Sequence, residues 1–261
     1  MRVLDRLCGT DGDAAGGRGP ATGGSGRMGG LAVLVDPVRT TPAAAGEMAR
    51  RAAGEGVGVL LLGTSFGAES GESAAVARAL KGAAPDIPLL QFPATATQLT
   101  CEVDALLFLS LVTGRNPQYL IEEHVRAVPF IERNPQVEVI STAYCLIDGG
   151  VVTTVESVSQ TRPLPADKPE LVAAHVRAAA LIGMQATYLD AGSGASRAIA
   201  AHSITAARGA TAGPLFVGGG IRTPEGVRIA RDSGADFVVV GTLFEELGPR
   251  LVSGLAHAAR A

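Results

Sequence analysis

From residue 31 to residue 259, short apolar runs alternate with longer stretches whose apolar positions recur at helical spacing. Residues 31–36, 57–62, 89–92 and 104–109 read as buried strands, as do 186–190, 215–218 and 237–240. The spacing between them predicts helices over 42–53, 71–83, 117–127, 168–182, 196–208, 224–232 and 243–259. Residues 137–148 form a long β-rich run, and 151–158 extend it after Gly149-Gly150, a hairpin signal. Strands alternating with helices and joined by right-handed crossovers predict a parallel sheet. Eight strands fit a closed (β/α)8 TIM barrel, modified because the stretch 93–102 is too short for its third helix. Residues 1–29 are rich in Gly, Ala and Asp and lack apolar periodicity, so a mobile N-terminal extension is expected before a single catalytic domain over 30–261.

Composition narrows this picture only a little. The 261 residues suit one barrel, whose usual size is about 250 residues. No apolar run reaches the length of roughly 18 residues that a membrane-crossing helix needs. A formal charge of −3 provides no basic field for nucleic acid. The N-terminus lacks the layout of a secretory signal, so a cytoplasmic location is expected. Cys8, Cys101 and Cys145 are too scattered for a zinc site and too few for a disulfide framework. His124, His175, His202 and His257 fall in helical stretches without metal-ligand spacing and read as surface or packing residues.

The candidate chemistry sits at strand ends, where barrel enzymes carry their active sites. Three glycine-rich turns follow apolar runs: Tyr188-Leu-Asp-Ala-Gly-Ser-Gly-Ala195, Phe216-Val-Gly-Gly-Gly-Ile-Arg222 and Val238-Val-Val-Gly-Thr242. Glycine lets backbone N–H groups come close to an oxyanion, so Ser193, Gly194, Gly219, Gly220, Gly241 and Thr242 are candidate phosphate contacts. Structural turn glycines are the alternative. Tyr188 and Asp190 flank one strand residue and point to the same side, where a phenol and a carboxylate can orient or deprotonate a hydroxyl. Asp36 and Thr64 end neighbouring strands; together they suit Mg²⁺ or a diphosphate, and singly each is an ordinary cap. The small residues after Phe92 form a turn or leave room for a bulky apolar ligand.

In order, Val35-Asp-Pro-Val-Arg-Thr40, Leu62-Gly-Thr64, Phe92-Pro93, Ser141-Thr-Ala-Tyr-Cys-Leu146, Asp167-Lys-Pro-Glu170 and the three glycine turns resemble the geranylgeranylglyceryl phosphate synthase family. The likeness runs from about residue 31 to the C-terminus. Its last two glycine turns are shared by many phosphate-binding barrels. The resemblance implies a prenyltransferase that makes an ether between an isoprenoid diphosphate and a phosphorylated three-carbon acceptor. It implies Mg²⁺ at Asp36 and Thr64, acceptor hydroxyls at Tyr188 and Asp190, and acceptor phosphate at Ser193, Gly194, Gly219, Gly220, Gly241 and Thr242. Homodimers are common in that family.

Two departures point to one branch of it. The family usually has Glu where this chain has Asp190, and a second acid where it has Val38. Both changes suit an acceptor with its own carboxylate, which Arg39 or Arg197 would pair. With the N-terminal extension, they make the chain look like the moenomycin-type antibiotic branch, which joins farnesyl to the 2-hydroxyl of 3-phosphoglycerate. That reading is the first expectation. The alternative is a synthase using sn-glycerol 1-phosphate. From other classes come a sugar-phosphate isomerase or lyase and a non-catalytic phosphate binder.

Overall fold

The computed structural model describes residues 2–9, 29–241 and 249–260. Eight parallel strands close in sequence order: β1 (Gly30–Val35), β2 (Val59–Leu62), β3 (Leu89–Gln91), β4 (Ala105–Leu111), β5 (Glu138–Leu146), β6 (Ala186–Asp190), β7 (Leu215–Gly218) and β8 (Phe237–Val240). β8 returns to β1 with Gly30 opposite Phe237, so the sheet has no free edge. The (β/α)8 barrel expected from the alternation is present, and the strand ranges 186–190, 215–218 and 237–240 match residue for residue.

The described α-helices are α1 (Val3–Cys8), α2 (Pro42–Gly54), α3 (Ser70–Ala83), α4 (Glu123–Arg133, entered through a π-helical turn at Gln118–Glu122), α5 (Thr154–Ser159), α6 (Pro169–Leu181), α7 (Ala201–Ala210), α8 (Pro224–Asp232) and α9 (Pro249–Arg260). Pro42, Pro169 and Pro224 occupy first turns, where their missing N–H costs nothing. Thr41 and Thr223 accept from Ala44 and Gly226 N–H as N-caps. No helix among the described residues is long and apolar enough to cross a membrane.

α1 lies within the stretch expected to be an extension. Its Val3 and Leu7 are buried against inward-facing strand residues. The Glu138 carboxylate at the start of β5 accepts from the Val3 and Leu4 N–H groups. Arg6 reaches the Asp86 carbonyl ahead of β3 at 3.1 Å. These anchors place α1 across the N-terminal end of the barrel, opposite the strand tips. The expected mobile segment otherwise falls on residues 10–28, outside the described residues, as does the start of the expected helix at 243–248.

At the C-terminal face the expected irregular third segment is present, and two features differ from the expected pattern. The chain between β3 and β4 forms only a short 3-10 turn, Ala96–Gln98, where a barrel helix would stand. Two buried glutamines satisfy its backbone: Gln91 donates to the Gln98 carbonyl and accepts from Thr100 N–H, while Gln98 accepts from Ala94 N–H. The hairpin expected at Gly149-Gly150 is absent. Among the described residues β5 pairs only with the parallel strands β4 and β6, and Thr153 caps α5 by accepting from Glu156 N–H at 3.3 Å. Thr153-x-x-Glu156 is a helix-start signal that overrides the β-branched run around it. Finally, α7 starts at Ala201 rather than near 196, because Ser196 and Arg197 N–H both bond the Gly149 carbonyl at 3.0 Å.

Candidate active site at the barrel mouth

The barrel interior holds an aromatic column. Phe237 stacks on Phe216 at 4.8 Å, Phe216 on Tyr188 at 6.0 Å, and Tyr188 meets Phe92 at 4.6 Å and Tyr144 at 5.8 Å. This column ends at the mouth in two phenols and one carboxylate. Tyr144 OH donates to Asp190 Oδ2 at 2.6 Å, and Gly192 N–H donates to Asp190 Oδ1 at 2.8 Å. Burial raises the Asp190 pKa, opposed by those two hydrogen bonds, which favour the charged form. Burial, followed by the Asp190 charge, holds both Tyr144 and Tyr188 well above the usual phenol value, so both stay protonated donors.

Across the opening, Asp36 follows β1 and Thr64 follows β2. Thr64 Oγ1 donates to Asp36 Oδ2 at 3.0 Å, while Asp36 Oδ1 accepts from Val38 N–H at 2.9 Å. Arg39 Nε stands 3.9 Å from Asp36 Oδ2 and is largely exposed. A single carboxylate and a hydroxyl remain open to the mouth. Among the described residues no group of three His, Cys, Asp or Glu side chains gathers to hold a metal. The Asp36 carboxylate and the Thr64 hydroxyl are hard oxygen donors of the kind that Mg²⁺ takes.

On the β6–β8 side, Gly219 and Gly220 adopt φ of 83° and 72°, a region that strains any other residue. A Cβ at Gly220 would lie 2.4 Å from the Arg197 carbonyl oxygen, and one at Gly219 2.8 Å from Ala191. Glycine is thus required at both positions by conformation and by space. Arg222 lies beside them, donating to the Ala195 carbonyl at 3.0 Å and bridging the turns after β6 and β7.

One opening of about 670 Å³ is lined by Asp36, Arg39, Thr64, Tyr188, Asp190, Ser193, Gly194, Gly219, Gly220 and Gly241. The structure thus gathers these sequence-nominated residues at one mouth. Thr242 lies outside the described residues, and Arg197 is outside the lining, paired with Asp148 at 3.1 Å. Tyr144 and Arg222 were not singled out by sequence. The strand pattern hid Tyr144, whereas Arg222 ends a quoted glycine turn and was the more readable of the two.

A second, narrower cavity of about 80 Å³ opens beside the first. Thr64, Ser65 and Phe92 line both, and Leu99, Leu106, Phe108, Ala127, Val155 and Val158 make its walls apolar. It occupies the space left by the missing third helix. His124, expected at the surface or in packing, meets Phe108 in a tilted ring contact at 4.1 Å along this wall, and desolvation lowers its pKa. Cys145 is buried with its thiol pushed up to about 12, too high for a nucleophile.

Fold and mouth together define a phosphate-binding barrel enzyme with an apolar slot beside its polar opening. The PcrB family model matches residues 31–258, and the chain belongs to that family. It is 38% identical to the geranylgeranylglyceryl phosphate synthase of Chitinophaga pinensis over 216 residues, covering 83% of this chain and 84% of that protein. It is 37% identical to the Thermofilum pendens synthase, covering 82% of each. The solved (S)-3-O-geranylgeranylglyceryl phosphate synthase of Thermoplasma acidophilum, in complex with sn-glycerol-1-phosphate, superposes with a TM-score of 0.85. That pair is 25% identical, with 99% of this chain and 98% of the other covered. The protein is accordingly a transferase of the prenyltransferase type.

These relatives overturn the first expectation. Family model, sequence relatives and solved structures agree on geranylgeranylglyceryl phosphate synthase, and the farnesyl and 3-phosphoglycerate branch is not supported. Two substitutions, Asp190 and Val38, were too little to move the chain out of the main family. The carboxylate-binding role given to Arg39 and Arg197 loses its reason with that acceptor. In the structure the two arginines face different acids, Asp36 and Asp148.

Proposed function

We propose that the protein joins a geranylgeranyl group from its diphosphate to the primary hydroxyl of sn-glycerol 1-phosphate, forming an ether and releasing diphosphate. The observation that carries this reading is the meeting of three environments at one mouth. They are an acid–hydroxyl pair on β1 and β2, glycine turns on β6–β8, and an apolar slot between β3 and α5. Each suits one part of the two substrates.

The residues divide the work as follows. Asp36 and Thr64 face the donor diphosphate and would hold a Mg²⁺ against it. Bound there, that ion would supply positive charge to the leaving oxygens. Ser193, Gly194, Gly219, Gly220 and Gly241 surround the acceptor phosphate, with Arg222 contributing charge beside the turns. The slot walls exclude water from the prenyl chain. Tyr188 and Asp190 hold the acceptor hydroxyl near the first prenyl carbon, and Tyr144 fixes the carboxylate. As the C1–diphosphate bond breaks, the acceptor oxygen bonds C1 and its proton passes to Asp190. The raised pKa of Asp190 suits it to receive that proton.

A competition assay tests the reading. Geranylgeranyl diphosphate is offered with sn-glycerol 1-phosphate and its enantiomer, and products are resolved by mass. A geranylgeranyl ether of sn-glycerol 1-phosphate is expected. No ether with either acceptor would overturn the assignment.

A further inference from the structure

The slot is small for the chain that the proposed function assigns to it. Its volume is about 80 Å³, whereas a cavity of about 150 Å³ holds a single benzene. A twenty-carbon chain cannot lie in so small a space, so the walls must part to admit it. One wall is the turn after β3, which includes Ala96; another is the start of α4, which includes Glu123 and Ala127. A single carboxylate ties these two walls together. Glu123 Oε2 accepts from Ala96 N–H at 2.8 Å, across 27 residues of chain. Its Oε1 accepts from the Gln118 side-chain amide at 3.1 Å and from Arg126 Nη1 at 2.7 Å. The Glu123 side chain is only 13% exposed, and bonds to a carboxylate so shielded are stronger than those between neutral groups.

The two sides of this link differ in their other supports. The turn holding Ala96 is braced by Gln91 and Gln98, which satisfy its backbone without Glu123. The entry to α4 is the π-helical turn at Gln118–Glu122, which interrupts the α-helical hydrogen-bond ladder. That entry is bonded to Ser110 of β4 through the Leu120 carbonyl, and to α5 through Asn116 with Ser159 and Tyr119 with Val158. Release at Glu123 therefore frees it on the side of the turn alone. We infer that Glu123 is a positioning residue that latches the slot, and that its link to Ala96 N–H opens before a long donor chain is admitted. The inference rests on the proposed function for the identity of that chain. A state that must open before binding lowers affinity by the fraction of molecules already open. The latch thus weakens the binding of long donors and spares short ones, which need less of the slot.

Two variants break the latch from opposite sides. Glu123→Ala removes the acceptor. Ala96→Pro removes only the N–H: Ala96 begins the 3-10 turn, and Thr95 before it has φ −142° and ψ 160°, a conformation that a following proline allows. Affinities for geranylgeranyl diphosphate and dimethylallyl diphosphate are measured by calorimetry on the whole protein, with Mg²⁺ and without acceptor. Each variant is expected to bind the geranylgeranyl donor about tenfold more tightly, and the double variant no more tightly than either, because both remove the same link. Affinity for the five-carbon donor should stay within about twofold. Should one variant fail to fold, the other decides alone. Unchanged affinity for the long donor, with ether still formed, would overturn the inference and leave the proposed function standing. Weaker binding of both donors would also overturn it, making Glu123 a strut that shapes the wall. The expected affinities in a protein that makes no ether would support the latch and overturn the proposed function. No binding of the long donor by any form would overturn both.

Discussion

The two halves of the mouth are built on different principles. From β6 to β8 the site is backbone: tight turns, positive φ angles, and at Gly219 and Gly220 a close approach that leaves no room for a side chain. From β3 to α5 it is a cavity made by omission, where a helix is replaced by a short turn and apolar side chains line the gap. The first half is constrained position by position, most tightly at Gly219 and Gly220, where φ is positive and a Cβ has no room. The second depends on summed shape, and many residue choices give similar walls. A compact phosphate and an extended hydrocarbon ask for these two kinds of surface. Asp36 and Thr64 sit at the seam between them.

The seam offers the largest expected effect. If the halves deliver their substrates to one reaction, chelation by EDTA or Asp36→Ala should lower kcat by about 10³-fold. Unfolding in denaturant should change little, because Asp36 is partly exposed and only the Thr64 hydroxyl among its partners is distant in sequence. Turnover that is indifferent to EDTA would separate the seam from the chemistry and remove the metal role from Asp36 and Thr64.

Within the glycine half, two positions separate strain from crowding. Gly220→Ala meets positive φ and a carbonyl oxygen 2.4 Å away, so a loss of about 3 kcal/mol in unfolding free energy is expected. Gly194→Ala has φ of 78° and open space around it, so only the conformational cost of about 1 kcal/mol remains. Equal losses in chemical denaturation would show that crowding at Gly220 relaxes freely. The apolar half is probed by Ala127→Phe, which fills the slot from α4. It should raise the KM for prenyl diphosphate about tenfold and leave the acceptor KM unchanged. A matching rise in both would mean that the slot and the phosphate turns are not separate subsites.

The same contrast explains what was legible in the sequence. The strands β6, β7 and β8 and their glycine turns were readable because conformation dictates residue type there. Asp36, Thr64, Tyr188 and Asp190 were readable because strand period and strand-end position place them without knowledge of distant contacts. Tyr144 was not, since its role depends on β5 pairing with β6 in a register that sets Tyr144 opposite Tyr188. The slot was only hinted at by the weak segment after Phe92. The hairpin expected at Gly149-Gly150 failed because local β propensity gave way to the Thr153 cap. The phosphoglycerate expectation failed for another reason: it gave two side-chain changes more weight than the resemblance of the whole barrel.

The smallest expected effect concerns the hidden tyrosine and lies in the position of a titration. Asp190 has a pKa raised above the ordinary 3.8, because burial outweighs the hydrogen bonds from Tyr144 and Gly192. As pH falls through that raised value the carboxylate takes up a proton and can no longer accept one from the hydroxyl. The acid limb of kcat/KM should therefore lie above the ordinary carboxylate range. For stability the sign is opposite: a raised folded-state pKa favours the fold below the unfolded value, and that contribution is lost as pH rises through the folded one. Tyr144→Phe deletes a donor that favours the charged form, so the acid limb should move to higher pH. Plateau turnover should fall by about tenfold. A limb that stays in place would leave Tyr144 as packing in the aromatic column, with the Asp190 carboxylate oriented by Gly192 N–H alone. Asp190→Asn gives the control, since it removes the limb together with the titrating group and lowers turnover across the whole range.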